Sequence, residues 1–182
     1  MTMMLEVKGL TKRFGGLLAV SAVDLAVAKG EIVSLIGPNG AGKTTVFASI
    51  SGFLKPDEGA VNLDGRSIIN LKSHKICQQG MVRTFQITQP FATLNTLENI
   101  MVGAYSITSD KNIAQLNAER VADIVGMTSL LYQTADGLTV AARKRLELAR
   151  ALATNPKLLL LDEVMAGLNP TEIDEIVEVI KG

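Results

Sequence analysis

The chain has 182 residues, 47% of them hydrophobic, and its 18 basic and 18 acidic side chains give a formal net charge of zero. This length suits one domain or two closely joined lobes with a real core, and the balanced charge argues against a nucleic-acid-binding surface. The single cysteine, Cys77, cannot form an internal disulfide, and neither a signal peptide nor an apolar run of roughly 20 residues is present. We therefore expect a cytoplasmic protein that reaches any membrane through a partner.

The N-terminal third predicts an antiparallel β-lobe. Leu5–Val7 and Val20–Val27 alternate between apolar and polar residues, which is typical of strands. The apolar, β-branched run Ile32–Ile36 comes directly before a glycine-rich loop and predicts a buried strand. A helix is expected over Thr44–Ser51, and a strand is expected over Ala60–Leu63 between two turns.

The rest of the chain predicts helices interrupted by one strand. Apolar residues recur at helical spacing from about Thr93 to Ala153, and Lys157–Leu161 predicts a second buried strand. The tail predicts a helix that begins with a capping box. Asn169 would cap it, Pro170 would take its first position, and Glu172 would be the capping-box acid.

Residues 37–44 form a phosphate-binding motif, because they match G-x-x-x-x-G-K-[ST] in full. The glycines let backbone N–H groups point at phosphate oxygens, helped by the positive end of the following helix. Lys43 would supply a charge for the β- and γ-phosphates, the Thr44 hydroxyl would ligate Mg²⁺, and Thr45 would add a second donor. The alternative, a glycine turn before an ordinary helix, is disfavoured by the predicted strand–loop–helix context. The expected nucleotide contacts are Gly37, Asn39, Gly40, Ala41, Gly42, Lys43, Thr44 and Thr45.

Two acids follow the second predicted buried strand. Asp162 and Glu163 would lie at its carboxyl end, where α/β folds bind ligands. Asp162 would hold Mg²⁺ through water, and Glu163 would polarise the water that attacks the γ-phosphate. A helix cap or a solvated turn is the ordinary alternative for such a pair, and the phosphate loop upstream makes it less favoured.

These motifs, in this order, resemble the ATP-binding subunits of ABC transporters over essentially the whole chain. The resemblance implies that Phe14 stacks on adenine, although a lone Phe is more often a core residue. It also implies that Gln86 contacts Mg²⁺ and water and senses the transmembrane partner. Residues 166–170, Ala-Gly-Leu-Asn-Pro, match the loop that touches the opposing subunit.

Within that family, three segments look like the branched-chain amino-acid importers. They are residues 83–91, Arg-Thr-Phe-Gln-Ile-Thr-Gln-Pro-Phe; residues 145–152, Arg-Leu-Glu-Leu-Ala-Arg-Ala-Leu; and residues 167–170, Gly-Leu-Asn-Pro. The resemblance implies hydrophobic amino acids as the cargo. No residue of this chain would touch them, because an importer binds its substrate elsewhere.

The family's signature, Leu-Ser-x-Gly-Gln, is altered here to Leu-Thr-Val-Ala-Ala at residues 138–142. Thr139 keeps the hydroxyl that would reach the γ-phosphate of the other subunit's ATP. Ala141 replaces a glycine that approaches phosphate closely, and its Cβ narrows that approach. Ala142 removes an amide. The change weakens the expectation of activation in trans and leaves binding in cis untouched.

Two further departures concern the C-terminal part. The family's switch histidine would lie beyond Gly182, which suggests a truncated chain with an unpaired sheet edge. His74, the one histidine, precedes Gln86 in the chain and is interpreted as a solvated surface residue. Val164 replaces the usual proline after the catalytic acid, which is a minor change.

The resemblance implies an α/β fold of the P-loop NTPase, ABC ATPase type. It has a mainly parallel core sheet, an N-terminal antiparallel β-lobe and a helical subdomain. We expect one ABC domain, in which residues 1–88 form the β-lobe and the first part of the core. Residues 89–153 would form the helical subdomain, and residues 154–182 the second buried strand and its following helix.

The function implied is an ATP- and Mg²⁺-dependent ATPase that powers import, with Lys43, Gln86 and Glu163 in catalysis. The expected partners are a second ATPase subunit, transmembrane permease subunits that dock at Gly80–Phe91, and, indirectly, a substrate-binding protein. The chain would sit at the inner face of the membrane. Two alternatives stay open: nucleotide binding without hydrolysis, and a soluble ABC ATPase that acts on DNA or ribosomes. The second would normally show two cassettes and a basic surface.

Overall fold

The computed structural model describes residues 2–84, 89–162 and 169–181. They belong to two compact units, an N-terminal unit (Met1–Met81) and a C-terminal unit (Val82–Gly182). The division into 1–88, 89–153 and 154–182 stays a prediction of domain organisation. Among the described residues, no helix combines the length and apolar character needed to cross a membrane.

The N-terminal unit contains the predicted antiparallel β-lobe. Its sheet has the order β2-β1-β3-β4. The strands are β1 (Met3–Phe14), β2 (Leu17–Ala28), β3 (Glu58–Leu63) and β4 (Arg66–Ser67). Leu5 and Leu10 of β1 are almost fully buried, so the alternating pattern faces a core as expected. The strands predicted over Leu5–Val7, Val20–Val27 and Ala60–Leu63 are confirmed, and β4 was missed because two residues carry no periodic signal.

Two helices complete the described part of this unit. α1 (Lys43–Ile50) confirms the helix predicted after the phosphate loop, and it buries Val46 and Ile50. α2 (Ser73–Gln78) has a single buried residue, Ile76, and was not predicted. A helix of six residues with one apolar contact gives too short a pattern to detect.

The prediction of a buried strand over Ile32–Ile36 is wrong. The segment has no strand structure, and the Ile36 side chain is 91% exposed. An apolar run becomes a strand only when a neighbouring strand pairs its N–H and C=O groups. Among the described residues, neither sheet includes this segment. The composition of this segment is therefore typical of a strand, but none of the described strands pairs with it and it does not form one.

The C-terminal unit contains the second sheet, which is parallel and has two strands in the described residues. β6 (Leu158–Leu160) confirms the predicted second strand, and Leu160 is buried. Its neighbour β5 (Met81–Arg83) has only three residues and was not predicted. The pairing continues past β5, because the backbone N–H of Thr84 donates to the Leu160 carbonyl at 3.0 Å.

Among the described residues of this unit there are also four helices and two short 3₁₀ turns. The helices are α3 (Thr96–Ala104), α4 (Lys111–Ile124), α5 (Val140–Leu152) and α6 (Pro170–Lys181), and the 3₁₀ turns are Thr128–Leu130 and Ala135–Gly137. One apolar cluster joins them, with Ile100, Val121, Leu146 and Ile176 almost fully buried. The predicted helical character of residues 93–153 is confirmed, since helical spacing places these apolar residues on one face of each helix.

The capping box of α6 is also confirmed. The Glu172 backbone N–H donates to Asn169 Oδ1 at 3.0 Å, and the Asn169 backbone N–H donates to Glu172 Oε2 at 2.9 Å. Pro170 is the first helical residue, where its missing N–H costs nothing. Three residues of local sequence therefore fix where this helix begins.

Gly103 on α3 allows the close approach of α5, so Gly103→Ala is expected to destabilise the C-terminal unit. A Cβ at this position would overlap the backbone carbonyl oxygen of Arg150. Because backbone cannot move aside as a side chain can, we expect a loss of about 2 kcal/mol in the free energy of unfolding. The measurement is the urea unfolding midpoint. Gly137→Ala is the control, since its Cβ would meet only the Gln133 and Thr134 side chains; equal midpoints for the two variants would contradict the prediction.

Candidate functional site

The phosphate loop has a backbone that requires glycine at its last turn. Gly42 has φ 88° and immediately precedes α1. A Cβ on Gly42 would lie 2.5 Å from the carbonyl oxygen of Ala19 on β2, so no other residue fits. Among the residues that the structure describes, no side chain caps α1, and the first turn of this helix has no acidic residue. The N–H groups of this helix end are therefore left for an anion.

Lys43 is folded back onto the phosphate loop. Its Nζ donates to the carbonyl oxygens of Gly37 at 2.7 Å and Pro38 at 2.9 Å. These bonds hold an ammonium group over the loop, whose residues 37–41 are exposed to solvent. A bound phosphate can take over such donors, because charge-assisted hydrogen bonds to phosphate are stronger than bonds to neutral carbonyls. The phosphate loop of the N-terminal unit thus combines a lysine ammonium group with a helix N-terminus that no described side chain caps.

Phe14 lies at the end of β1 and is 45% exposed, so it is not a core residue. Lys12 Nζ lies 5.6 Å from the centroid of its ring and also pairs with Asp57 at 3.2 Å. The backbone N–H of Arg13 and the Lys12 ammonium hold the pKa of Asp57 below its usual range. An exposed, partly fixed aromatic ring is suited to stacking on a base, and the adenine contact stays a prediction.

Asp162 follows β6 and its carboxylate is buried in an ion pair. Arg83 Nη2 donates to Asp162 Oδ2 at 2.8 Å, and the two side chains are only 7% and 5% exposed. The backbone N–H of Asp162 donates to Thr84 Oγ1 at 3.2 Å. The position of Asp162 is as predicted, at the carboxyl end of a strand, and its pairing with Arg83 was missed. No local signal could reveal it, because 79 residues separate the two partners.

Two of the predicted magnesium ligands have oxygen donors of the right kind. The carboxylate of Asp162 and the hydroxyl of Thr44 are hard oxygen ligands, the class that Mg²⁺ prefers, and their binding of one shared ion stays a prediction. Within the described ranges, no group of three or more His, Cys, Asp or Glu residues could hold a metal alone. Mg²⁺ usually binds through one or two carboxylates together with substrate phosphates.

Thr139 begins α5 and caps it. Its Oγ1 accepts a hydrogen bond from the backbone N–H of Ala142 at 3.2 Å, and its side chain is exposed. Arg143 Nη2 donates to the Asp136 carbonyl at 2.6 Å and ties the same turn to the preceding loop. The altered signature therefore still forms an ordered helix start. The contact of Thr139 with a second subunit's ATP stays a prediction.

Residues 89–95 are held tightly to the helices of the C-terminal unit. The side chain of Asn99 is buried, accepts from the Phe91 backbone N–H at 2.9 Å, and donates to the Phe91, Leu94 and Asn95 carbonyls. Arg150 of α5 lies 5.0 Å from the Phe91 ring centroid and donates to the Gln89 carbonyl at 3.2 Å. Burial lowers the pKa of Arg150. The contacts of Asn99 and of Arg150 with residues 89–95 were not predicted, because the segments that they join share no sequence motif.

Four further predictions concern residues of the site and its surroundings. Gln86 and Glu163 lie outside the described residues, as do residues 166–168 of the loop expected to touch a second subunit. His74 is on α2 and exposed, which confirms its interpretation as a surface histidine. The catalytic roles predicted for Gln86 and Glu163 rest on the sequence motifs alone.

Known proteins match this chain along most of its length. The profile of the ABC transporter family matches residues 20–166. The branched-chain amino acid transport ATP-binding protein BraF of Pseudomonas aeruginosa is 43% identical, and the match covers 94% of this chain and 73% of that protein. The probable branched-chain amino acid transport ATP-binding protein LivG of Archaeoglobus fulgidus is 37% identical, with coverage of 91% and 69%.

Solved structures give the same picture of the fold. The ADP conformation of MJ1267, an ATP-binding cassette of an ABC transporter, aligns with a TM-score of 0.89 at 30% identity, covering all of this chain and 76% of that one. The post-hydrolysis dimer of the ATP-binding cassette MJ0796, bound to ADP and Pi, aligns with a TM-score of 0.86 at 24% identity. The covered share is 97% of this chain and 81% of that one.

Proposed function

The chain belongs to the ABC transporter family, and from that premise we propose that it binds Mg-ATP and hydrolyses it to power the import of branched-chain amino acids. The observation that carries the proposal is the complete phosphate loop, with Gly42 in the required left-handed conformation and Lys43 held over the loop. The relatives named for branched-chain amino acid transport support the cargo.

The proposed roles follow the motifs of this chain. Lys43 and the N–H groups of the phosphate loop bind the phosphates, and Phe14 stacks on the adenine. Thr44, Gln86 and Asp162 are the proposed ligands of Mg²⁺, Asp162 through water. The ion, when bound, neutralises charge on the β- and γ-phosphate oxygens. Glu163 polarises the attacking water and accepts its proton.

The proposed partners are of three kinds. A second ATPase subunit would complete each ATP site with its signature loop, where this chain offers Thr139. Permease subunits would dock at Gly80–Phe91 and keep the chain at the inner face of the membrane. The bonds that Asn99 and Arg150 make to residues 89–95 support this assignment, because they would transmit a displacement of that segment to α3 and α5. A substrate-binding protein would act on the permease, at one remove from this chain.

A second function, nucleotide binding without turnover, is favoured by one observation. Ala141 and Ala142 stand where the family signature has glycine and glutamine. The backbone of this turn is ordered, with Thr139 capping α5, so the change affects contacts to a second ATP and not the folding of the loop. The chain would then bind ATP in cis and fail to activate its partner.

The two functions are distinguished by Mg-ATP hydrolysis measured across a range of protein concentrations, beside binding of a fluorescent ATP analogue. Because two subunits are proposed to form each site, turnover should rise faster than linearly with protein concentration. Saturable nucleotide binding with no turnover at any concentration would favour the second function. Absence of nucleotide binding would contradict both.

A further inference from the structure

We propose that Arg83 is a positioning residue that restricts Asp162 to one free carboxylate oxygen and thereby adapts the site to hydrated Mg²⁺. The inference rests on the proposed function, since it concerns the metal that accompanies ATP. It goes beyond that function by assigning a role in metal selection to Arg83 of β5.

The geometry of the pair is the first step. The guanidinium donates to Oδ2 at 2.8 Å, and both side chains are more than nine-tenths buried. No other described side chain or backbone group bonds to the Asp162 carboxylate. The guanidinium therefore occupies Oδ2, while Oδ1 has no hydrogen-bond partner among the described residues.

The backbone of Asp162 is fixed independently. Its N–H donates to Thr84 Oγ1, and the Thr84 N–H donates to the Leu160 carbonyl at 3.0 Å. Thr84 is itself buried. The main chain at Asp162 and one carboxylate oxygen are thus both tied to the end of β5. Rotation of the carboxylate, which would exchange its two oxygens, has to break the ion pair with Arg83.

Restricting the Asp162 carboxylate to one free oxygen should affect Mg²⁺ and Ca²⁺ differently. Mg²⁺ dehydrates reluctantly and keeps several waters, whereas Ca²⁺ accepts bidentate carboxylates in flexible geometry. A carboxylate with one free oxygen can accept a hydrogen bond from a metal-bound water but cannot chelate an ion with both oxygens. Arg83 should therefore favour Mg²⁺ over Ca²⁺ in the nucleotide complex. A guanidinium suits this task because it is planar and permanently charged.

The experiment measures the affinity of the full chain for a fluorescent ATP analogue with Mg²⁺, with Ca²⁺ and with EDTA. For wild type we expect tighter binding with Mg²⁺ than with Ca²⁺. Arg83→Met should reduce the Mg²⁺-to-Ca²⁺ affinity ratio on the order of tenfold, with binding in EDTA unchanged. Arg83→Lys should reduce it by about threefold, because an ammonium group keeps the charge but can bind either oxygen.

Arg83→Met removes the charge from a buried ion pair, which can prevent folding. If that variant does not fold, Arg83→Lys alone tests the proposal. Its matched control is Arg145→Lys, which alters an ion pair with Glu175 between α5 and α6. An unchanged Mg²⁺-to-Ca²⁺ affinity ratio in Arg83→Lys would overturn the proposal. So would an equal change of that ratio when Arg83→Lys is introduced into a chain that already carries Asp162→Asn. A wild-type chain that binds nucleotide equally with and without metal would instead contradict the magnesium part of the proposed function.

Discussion

Lys43→Ala is expected to weaken ATP binding by about 100-fold, which corresponds to roughly 3 kcal/mol. The Lys43 ammonium bonds to the Gly37 and Pro38 carbonyls at 2.7 and 2.9 Å, so it is placed over the loop before any nucleotide arrives. The Lys43 side chain then loses little conformational entropy when ATP binds, and its ammonium group can donate charge-assisted hydrogen bonds to the phosphates. Alanine removes the cation and leaves the glycine backbone of the loop intact. The measurement is titration with a fluorescent ATP analogue.

The control for this prediction is Lys55→Ala, which removes an exposed lysine from the same N-terminal unit. It changes the net charge by the same amount, so long-range attraction of ATP is affected equally in both variants. Its affinity should stay within about twofold of wild type. Should Lys43→Ala also bind ATP as wild type does, residues 37–44 would be an ordinary turn before a helix.

Local chemistry explains which features could be predicted from the sequence. The capping box of α6 and the glycine-rich loop before α1 depend on residues within eight positions of one another in the sequence, and both have the predicted structure. The alternating pattern of β1 likewise predicts its buried face. In each case the pattern that indicates the structure lies within a short stretch of the chain, so one sequence carries the information.

Non-local pairing explains the failures. Ile32–Ile36 is mainly apolar, as β6 is, yet β6 has β5 beside it and the exposed segment has no partner among the described strands. Arg83 and Asp162 are 79 residues apart in the chain and meet only because β5 and β6 are neighbours. Neither pairing has a local signature, and β5, at three residues, is too short to be predicted at all.

The same distinction applies to the candidate site. The residues expected to touch ATP belong to compact motifs and were predicted. The residues that contact them were missed: Arg83 and Thr84, which bond to Asp162, and Ala19, whose carbonyl lies close to Gly42. A supporting residue contacts a site residue only because the fold brings the two together. Its residue type alone therefore does not identify it in the sequence. Motif reading therefore identifies the chemistry of a site more readily than its supporting structure.

Glu163→Gln is expected to lower the rate of Mg-ATP hydrolysis by 10²- to 10⁴-fold, the usual contribution of a general base. The residue directly follows Asp162, whose backbone and carboxylate are fixed to β5 by Thr84 and Arg83. Glutamine keeps the size of the side chain and cannot accept a proton from the attacking water. ATP affinity should stay within about twofold of wild type, because the phosphates are bound by the loop that contains Lys43.

The control for Glu163→Gln is Asp174→Asn, which removes one negative charge from an exposed position on α6 in the same unit. Release of inorganic phosphate is the measurement, at a protein concentration where wild type turns over. If both variants hydrolyse ATP at the wild-type rate, another group activates the water and Glu163 is an ordinary turn residue after Asp162. If only Glu163→Gln is inactive while it still binds ATP, the loss lies in the chemical step, and the altered signature at Ala141 and Ala142 is compatible with catalysis.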